Sequence, residues 1–327
     1  MQLCRTIIRR VGQISSIRPF HSSKPVAQKL DLAGIYPPIP TPFDSNENID
    51  WLALKDNMDK WNKLPFKGYV VQGSNGEYAY MSEEERVLLV ARVKKMITDN
   101  DKLLIGGSGC ESTRSTIDMS NKMADAGANA VLVVTPSYYR SGMTDAAMLA
   151  HYTKVADNSQ VPVIVYNCPS NTVLDLNADL ITKLATHPNI IGLKDSGGDI
   201  SKLGAIVYQT RQMDFQVIAG SASFLYAAYH LGCVGGIVAL ANVLGAECCE
   251  LEALFKSGDW DAAEELQKKL IVPNIDVTRR FGVPGLKQAM DWLGYIGGRT
   301  RLPLLPLSSG DTDILRKHFK KAGFLKD

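Results

Sequence analysis

What the sequence lacks narrows the possibilities first. No run of about 20 uncharged apolar residues occurs, so no membrane-spanning helix and no membrane partner are expected. The six cysteines (Cys4, Cys110, Cys168, Cys233, Cys248 and Cys249) form neither a CxxC pair nor a zinc-finger spacing. They read as reduced, mostly buried thiols, with vicinal Cys248 and Cys249 packed in a helix. The five histidines show no HxH or HxxxH spacing, and a zinc site wants about three converging ligands. No metal is therefore expected, and His151 and His230 are assigned to helix surfaces. The glycine stretch from Gly107 departs from the dinucleotide fingerprint at Ser112, where GxGxxG requires its last glycine, so no nucleotide cofactor is expected either.

Charge of one sign is missing from one region only. The first 30 residues carry Arg5, Arg9, Arg10, Arg18, Lys24 and Lys29 and no acid, and the formal net charge of +2 conceals a mildly acidic remainder. That remainder has no basic patch, which argues against nucleic acid. The leader is rich in serine, with apolar residues between its arginines, the composition of a mitochondrial transit peptide. A disordered basic tail is the plainer alternative. A secretory signal fits worse, because arginines interrupt any apolar core.

The chain of 327 residues is 45% hydrophobic and 21% charged, an ordinary globular composition. From Gly34 a rhythm of β-rich run, turn and amphipathic helix recurs eight times. The runs start at Gly34, Gly68, Leu103, Ala130, Val161, Ile190, Phe215 and Gly235. Their near-continuous Val, Ile and Leu content marks strands buried on both faces. Helix signals lie between them: a capping box at Ser82 to Glu85, a stop at Gly127 and a cap at Asn177. Eight such units in series predict an α/β fold, a closed (β/α)₈ TIM barrel, over an open doubly wound sheet. The expected organisation is a leader over 1–30, a catalytic barrel over 31–245 and a C-terminal α-helical extension over 246–327.

In such barrels chemistry sits at the carboxyl ends of the strands, and several runs close on polar residues: Thr41, Ser74, Ser108, Thr135, Tyr166, Lys194 and Ser221. Strand alternation puts Ile190, Gly192, Lys194 and Ser196 on one face, with Gly192 leaving a gap below the amine. A lysine in an apolar lumen loses hydration of its charged form, so its pKa falls and part of it becomes a neutral nucleophile. A strand-end lysine reaching solvent is the bland alternative. Tyr166 closes the neighbouring fifth run, about 4.8 Å away across a sheet, where a phenol can move protons for an imine-forming amine. An aromatic ring filling the barrel mouth is its simpler role. GSNGE, from Gly73, offers a turn of small residues whose Ser74 hydroxyl, Asn75 amide and backbone N–H groups suit a carboxylate, although Asn-Gly is also a common turn.

Together GSNGE, VTPSYYR, YNCPSNT, GLKDSGGD and AGS resemble the dihydrodipicolinate synthase / N-acetylneuraminate lyase family of class I aldolases, from about Gly34 to the end. GSGCEST, KDSGGD, LANVLGA and the VTRRFG and PGLK stretches, with the basic leader, are similar to the branch that cleaves 4-hydroxy-2-oxoglutarate to pyruvate and glyoxylate. The resemblance implies a lyase whose Lys194 forms a Schiff base with a small 2-oxo acid and whose Tyr166 transfers the proton in cleavage. It implies that Ser74 and Asn75 bind the 2-oxo-acid end and that Ser74 links Tyr166 to Tyr138. It also implies that Tyr138 is lent across a subunit interface of a homo-oligomer, a dimer of dimers. Ser196 and Gly220 match substrate-contacting positions, and the backbone at Ile237 would approach the carboxylate. The synthases carry arginine where Asn171 stands, and an amide cannot replace a bidentate guanidinium. Oxaloacetate decarboxylation is an expected side activity. Another 2-keto-3-deoxy acid aldolase and a barrel that only binds metabolites are the alternatives.

Overall fold

A computed structural model of the chain describes residues 30–326; apart from Leu30, the expected transit segment lies outside the described residues. Eight parallel strands follow the eight β-rich runs. They are β1 (Gly34–Tyr36), β2 (Gly68–Val71), β3 (Leu103–Gly107), β4 (Ala130–Val134), β5 (Val163–Asn167), β6 (Ile190–Asp195), β7 (Gln216–Ala219) and β8 (Gly235–Ile237). From β2 to β8 each pairs with the next, and β8 pairs with β1. The seam between β1 and β2 has no long ladder because Pro37 and Pro38 bring no N–H. The Ile39 N–H donates across it to the Val70 carbonyl (2.9 Å), and the Val70 N–H to the Pro37 carbonyl (3.1 Å). The result is the expected (β/α)₈ barrel.

The outer ring comprises α1 (Trp51–Trp61), α2 (Glu83–Met96), α3 (Thr113–Asp125), α4 (Asp145–Asn158), the single turn α5 (Pro169–Thr172), α6 (Ala178–Leu184), α7 (Ile200–Thr210), α8 (Leu225–His230) and α9 (Gly245–Ser257). Ser82 and Glu85 form their capping box, the Asn177 side chain accepts from the Leu180 N–H, and Gly127 follows α3 at φ +101°. Helix α9 continues past residue 245 and packs on β1. The rest of the chain forms α10 (Trp260–Ile275), α11 (Gly282–Trp292) and α12 (Ser309–Lys321), with a π-helical turn at Asp276–Arg280. This extension packs over the loops that follow β7 and β8. The Gln267 carboxamide accepts from the Tyr226 N–H (2.8 Å) and donates to the Ala222 carbonyl (2.7 Å). Among the described residues no helix is long and apolar enough to cross a membrane.

Two apolar clusters sandwich the strands: one joins strands to helices, and a smaller one, with Leu32, Val70, Ile105, Ile164 and Ile218, fills the lumen. The expected alternation on β6 holds only from Gly192 onward. Pairing with β5 steps from Val163–Ile190 to Ile164–Gly192, so one extra residue is inserted and the side-chain phase shifts. Ile190 consequently packs in the outer cluster and Ile191 against the lumen. Nor does Gly192 leave a gap, since a Cβ there would lie 2.4 Å from the Gln216 carbonyl oxygen and 3.3 Å from Leu32. The glycine admits the β7 backbone and Leu32, which the Gln216 side chain pins by accepting from the Leu32 N–H (2.8 Å) and donating to the Leu30 carbonyl (2.8 Å).

Candidate active site

Tyr166 and Lys194 occupy paired positions on β5 and β6, so their side chains emerge side by side at the strands' carboxyl ends. Lys194 is 3% exposed, and its Nζ lies 3.9 Å from the centroid of the Tyr166 ring. Among the described residues no carboxylate pairs with it. Burial pushes its pKa down to about 8 from the usual 10.5, with Cys168 opposing. A sizeable fraction is therefore neutral amine near physiological pH, a nucleophile toward a ketone.

The Tyr166 hydroxyl lies 3.4 Å from Ser74 Oγ and donates to Cys168 Sγ at 3.3 Å. Burial, helped by Cys168, holds the phenol well above its usual pKa, while Ser74 and Ser196 pull the other way. Tyr166 is thus a neutral phenol whose proton has a hydroxyl neighbour to pass to. Ser196 donates to the Gly220 carbonyl (3.3 Å), and a Cβ on Gly220 would come within 2.1 Å of Ser196 Oγ, so only glycine leaves room there. The Gly220 N–H is already committed to the Asp195 carbonyl (2.7 Å). Ser74 opens a 3-10 turn, Ser74–Gly76, on which Asn75 follows; both are half-buried. The first N–H groups of such a turn have no partner within it. A recess beside Tyr166 is lined by Gly73, Ser74, Tyr78, Gly107 and Gly109. Ile237 ends β8 fully buried, its side chain in the lumen and its backbone paired with Tyr36.

Tyr138 stands apart from this group. Its side chain is 79% exposed and meets Tyr139 edge-on (5.1 Å between ring centroids) rather than Ser74. Its backbone is held, however: one Glu111 oxygen accepts from the N–H groups of both Ser137 and Tyr138 at 2.9 Å. The fold therefore gathers Lys194, Tyr166, Ser74, Ser196 and Gly220, and leaves Tyr138 pointing outward.

Several neighbours escape a reading of the sequence. Behind the Tyr166–Lys194 pair, Asn167 donates to the carboxylates of Asp175 and Asp195, both at 2.7 Å. Lys202 closes the network on the same two acids, bracing the loops after β5 and β6. Strand alternation does turn Asp195 away from Lys194, but its partners come from three separate elements. Cys168, one scattered thiol in the sequence, touches the Tyr166 hydroxyl. Arg279, on the π-helical turn, donates to the Gly197 carbonyl at 3.2 Å, just beyond Ser196. Among the described residues it has no carboxylate partner, and in the sequence it stood out only as part of the VTRRFG stretch. His151 is a correction. It is buried in α4 rather than on a surface, hydrogen-bonded to Thr113 (3.0 Å), and burial pushes its pKa down to about 4 against the pull of Glu111. His230 is exposed. No group of three or more His, Cys, Asp or Glu side chains among the described residues is gathered as metal ligands would be.

Comparison with known proteins places the chain in a wider set. The model of the dihydrodipicolinate synthetase family matches residues 31–322. The chain is 34% identical to a probable mitochondrial 4-hydroxy-2-oxoglutarate aldolase of Emericella nidulans, over 91% of this chain and 97% of that one. It is 31% identical to a 4-hydroxy-tetrahydrodipicolinate synthase of Haloarcula marismortui, over 88% and 92%. Among solved structures, the chloride-inhibited dihydrodipicolinate synthase of Acinetobacter baumannii, complexed with pyruvate, superposes with a TM-score of 0.85. That match has 28% identity and covers 90% of this chain and all of the other.

Proposed function

We propose a specific reaction from one premise: the chain belongs to the dihydrodipicolinate synthetase family. Members of that family are lyases and aldolases that act on small molecules. The proposed reaction is cleavage of 4-hydroxy-2-oxoglutarate to pyruvate and glyoxylate through an imine on Lys194. The observation that carries it is the buried, unpaired Lys194 amine lying against Tyr166.

The neutral amine adds to the substrate's C2 ketone, and loss of water leaves a protonated imine. Tyr166 takes the proton of the C4 hydroxyl as its own passes to Ser74 Oγ, whose hydroxyl proton moves on to water. The C3–C4 bond breaks, its electrons move into the iminium to form an enamine, and glyoxylate departs. Protonation at C3 and hydrolysis release pyruvate and restore Lys194. Ser74 and Asn75 hold the C1 carboxylate on their turn, while Ser196, Gly220 and the Ile237 backbone shape the opposite wall. No metal or nucleotide takes part, because the iminium is itself the electron sink. The same sink would decarboxylate oxaloacetate.

Two observations favour this substrate within the family. Asn171, exposed on α5, offers no guanidinium where the synthases carry one. Arg279, with no carboxylate partner among the described residues and adjoining the Gly197 carbonyl, suits the second carboxylate of a dicarboxylic 2-oxo acid. The outward Tyr138, anchored by Glu111, fits a side chain that completes a partner's site, so the active form is a homo-oligomer, a dimer of dimers. The basic leader and the mitochondrial relative support a mitochondrial location. Borohydride reduction in the presence of pyruvate, followed by peptide mapping, tests the mechanism: the adduct is expected on Lys194, and an adduct elsewhere or none refutes it. Pyruvate release from 4-hydroxy-2-oxoglutarate, compared with sugar-derived 2-keto-3-deoxy acids, tests the substrate.

A further inference from the structure

Behind the Ser74–Asn75 turn lies an ion pair that takes no part in the chemistry above. Glu77 and Lys287 meet at 2.6 Å with side chains 1% and 2% exposed. Lys287, from α11, also donates to the Thr41 carbonyl (2.7 Å) and to the Arg299 carbonyl. The second Glu77 oxygen accepts from the Arg301 N–H at 2.9 Å. Arg301 in turn grips Glu85 of α2 through both terminal nitrogens and donates to the Tyr80 carbonyl (2.8 Å). Two residues of the extension, Lys287 and Arg301, thus converge on the segment that closes the GSNGE turn.

Glu77 itself sits at φ +58°, ψ +33°, a left-handed conformation that costs a non-glycine residue free energy and persists only where its surroundings over-determine it. The Glu77 N–H closes the 3-10 turn on the Ser74 carbonyl (3.2 Å), and Thr41 Oγ donates to the Gly76 carbonyl (2.8 Å). Glu77 is thus tied to the turn through its backbone and to the extension through its side chain. A buried pair of this kind contributes little net stability compared with apolar residues of the same size, so stability alone is a poor reason for it.

We propose that the Glu77–Lys287 ion pair is a positioning device by which the C-terminal extension holds the Ser74–Asn75 turn in the orientation that receives the carboxylate of a 2-oxo acid. This deepens the proposed function and rests on that reading of the turn. Glu77 and Lys287 are positioning residues: they act through Ser74 and Asn75 without touching substrate.

The test compares full-length wild type with Glu77→Gln, Lys287→Met and the double variant Glu77→Gln/Lys287→Met. Three quantities are followed: amide hydrogen exchange in a peptide spanning residues 73–80, the melting temperature, and the pyruvate concentration that half-saturates borohydride trapping on Lys194. Loss of the pair is expected to speed exchange in residues 73–80, leave β5 unchanged, and raise half-saturating pyruvate by about tenfold or more. Trapping at saturating pyruvate should reach the wild-type yield, the mark of lost binding with intact chemistry. The double variant should regain melting temperature, because no lone buried charge remains, yet keep the weak pyruvate response. Wild-type exchange rates in the variants, or a double variant that recovers pyruvate affinity along with its melting temperature, would overturn the proposal. Should wild type itself trap no pyruvate, the carboxylate reading fails, and the exchange rates alone then decide whether the pair holds the turn.

Discussion

Two lysines in this molecule are almost equally hidden from water and have been given opposite surroundings. Lys194, in the mouth of the barrel at β6, has an aromatic face, a thiol and, among the described residues, no acid beside it. Lys287, in the seam between the extension and the β2 loop, has Glu77 and two carbonyl oxygens. Burial lowers the pKa of both, but only at Lys287 does a carboxylate, Glu77, pull it back up. Desolvation is common to the two sites; the difference lies in whether the charge is answered. An unanswered ammonium gives up its proton and becomes a reagent, whereas an answered one stays charged and becomes a fastener.

The contrast is broken most decisively at Lys194. Lys194→Met should lower turnover by about 10⁴-fold or more and abolish borohydride trapping, since no other buried amine adjoins Tyr166; retained pyruvate release would end the comparison. Denaturant unfolding at pH 7 should then separate the two lysines by sign. Lys287→Met leaves Glu77 alone in the interior and should cost about 3–5 kcal/mol. Lys194→Met should instead stabilise the fold, by up to roughly 3 kcal/mol, because a folded-state pKa of about 8 against 10.5 unfolded makes the native amine a burden. The sign follows from proton binding. The unfolded chain holds its proton more tightly, so the penalty is complete below about pH 8 and fades as pH rises toward 10.5. A loss of stability in both variants would show that Lys194 is also a structural charge.

Tyr166→Phe keeps the ring against the amine and removes the proton carrier. It should reduce kcat by roughly 10²–10³-fold while pyruvate still forms a trappable imine; unchanged kcat would remove Tyr166 from proton transfer. The smallest effect is one of pH. The free enzyme must present neutral Lys194, so kcat/KM should climb about tenfold per unit below its pKa and level off above about 8. A profile flat from pH 6 to 9 would mean that the amine is not the titrating group.

How far these features were legible varies with the length scale that sets them. The strands, Lys194 at a strand end and Tyr166 on the neighbouring strand follow from local pattern and from the sequential order of a parallel barrel. The phase of β6 did not, because the extra residue at Ile191 is fixed by pairing with β5. The burial of His151 was legible in its own helix, where it shares one face with Met148, Tyr152 and Val155 at helical spacing, whereas its hydrogen-bond partner Thr113 comes from α3. Glu77 could be seen in GSNGE and Lys287 in PGLK, yet nothing in either stretch announces the other, 210 positions away. Tyr138 was singled out by resemblance, and the single chain leaves it facing outward.

What the sequence by itself determined is periodic or local: eight buried parallel strands, their helices and caps, and a reactive residue type at the right end of a strand. Those properties depend on neighbours within a few positions, and backbone geometry repeats them faithfully. Only the tertiary structure decided which of the buried charges would be paired. Pairing depends on which distant groups occupy the few ångströms around an ammonium once water has gone, and that set is assembled by the closure of the barrel and the docking of the extension.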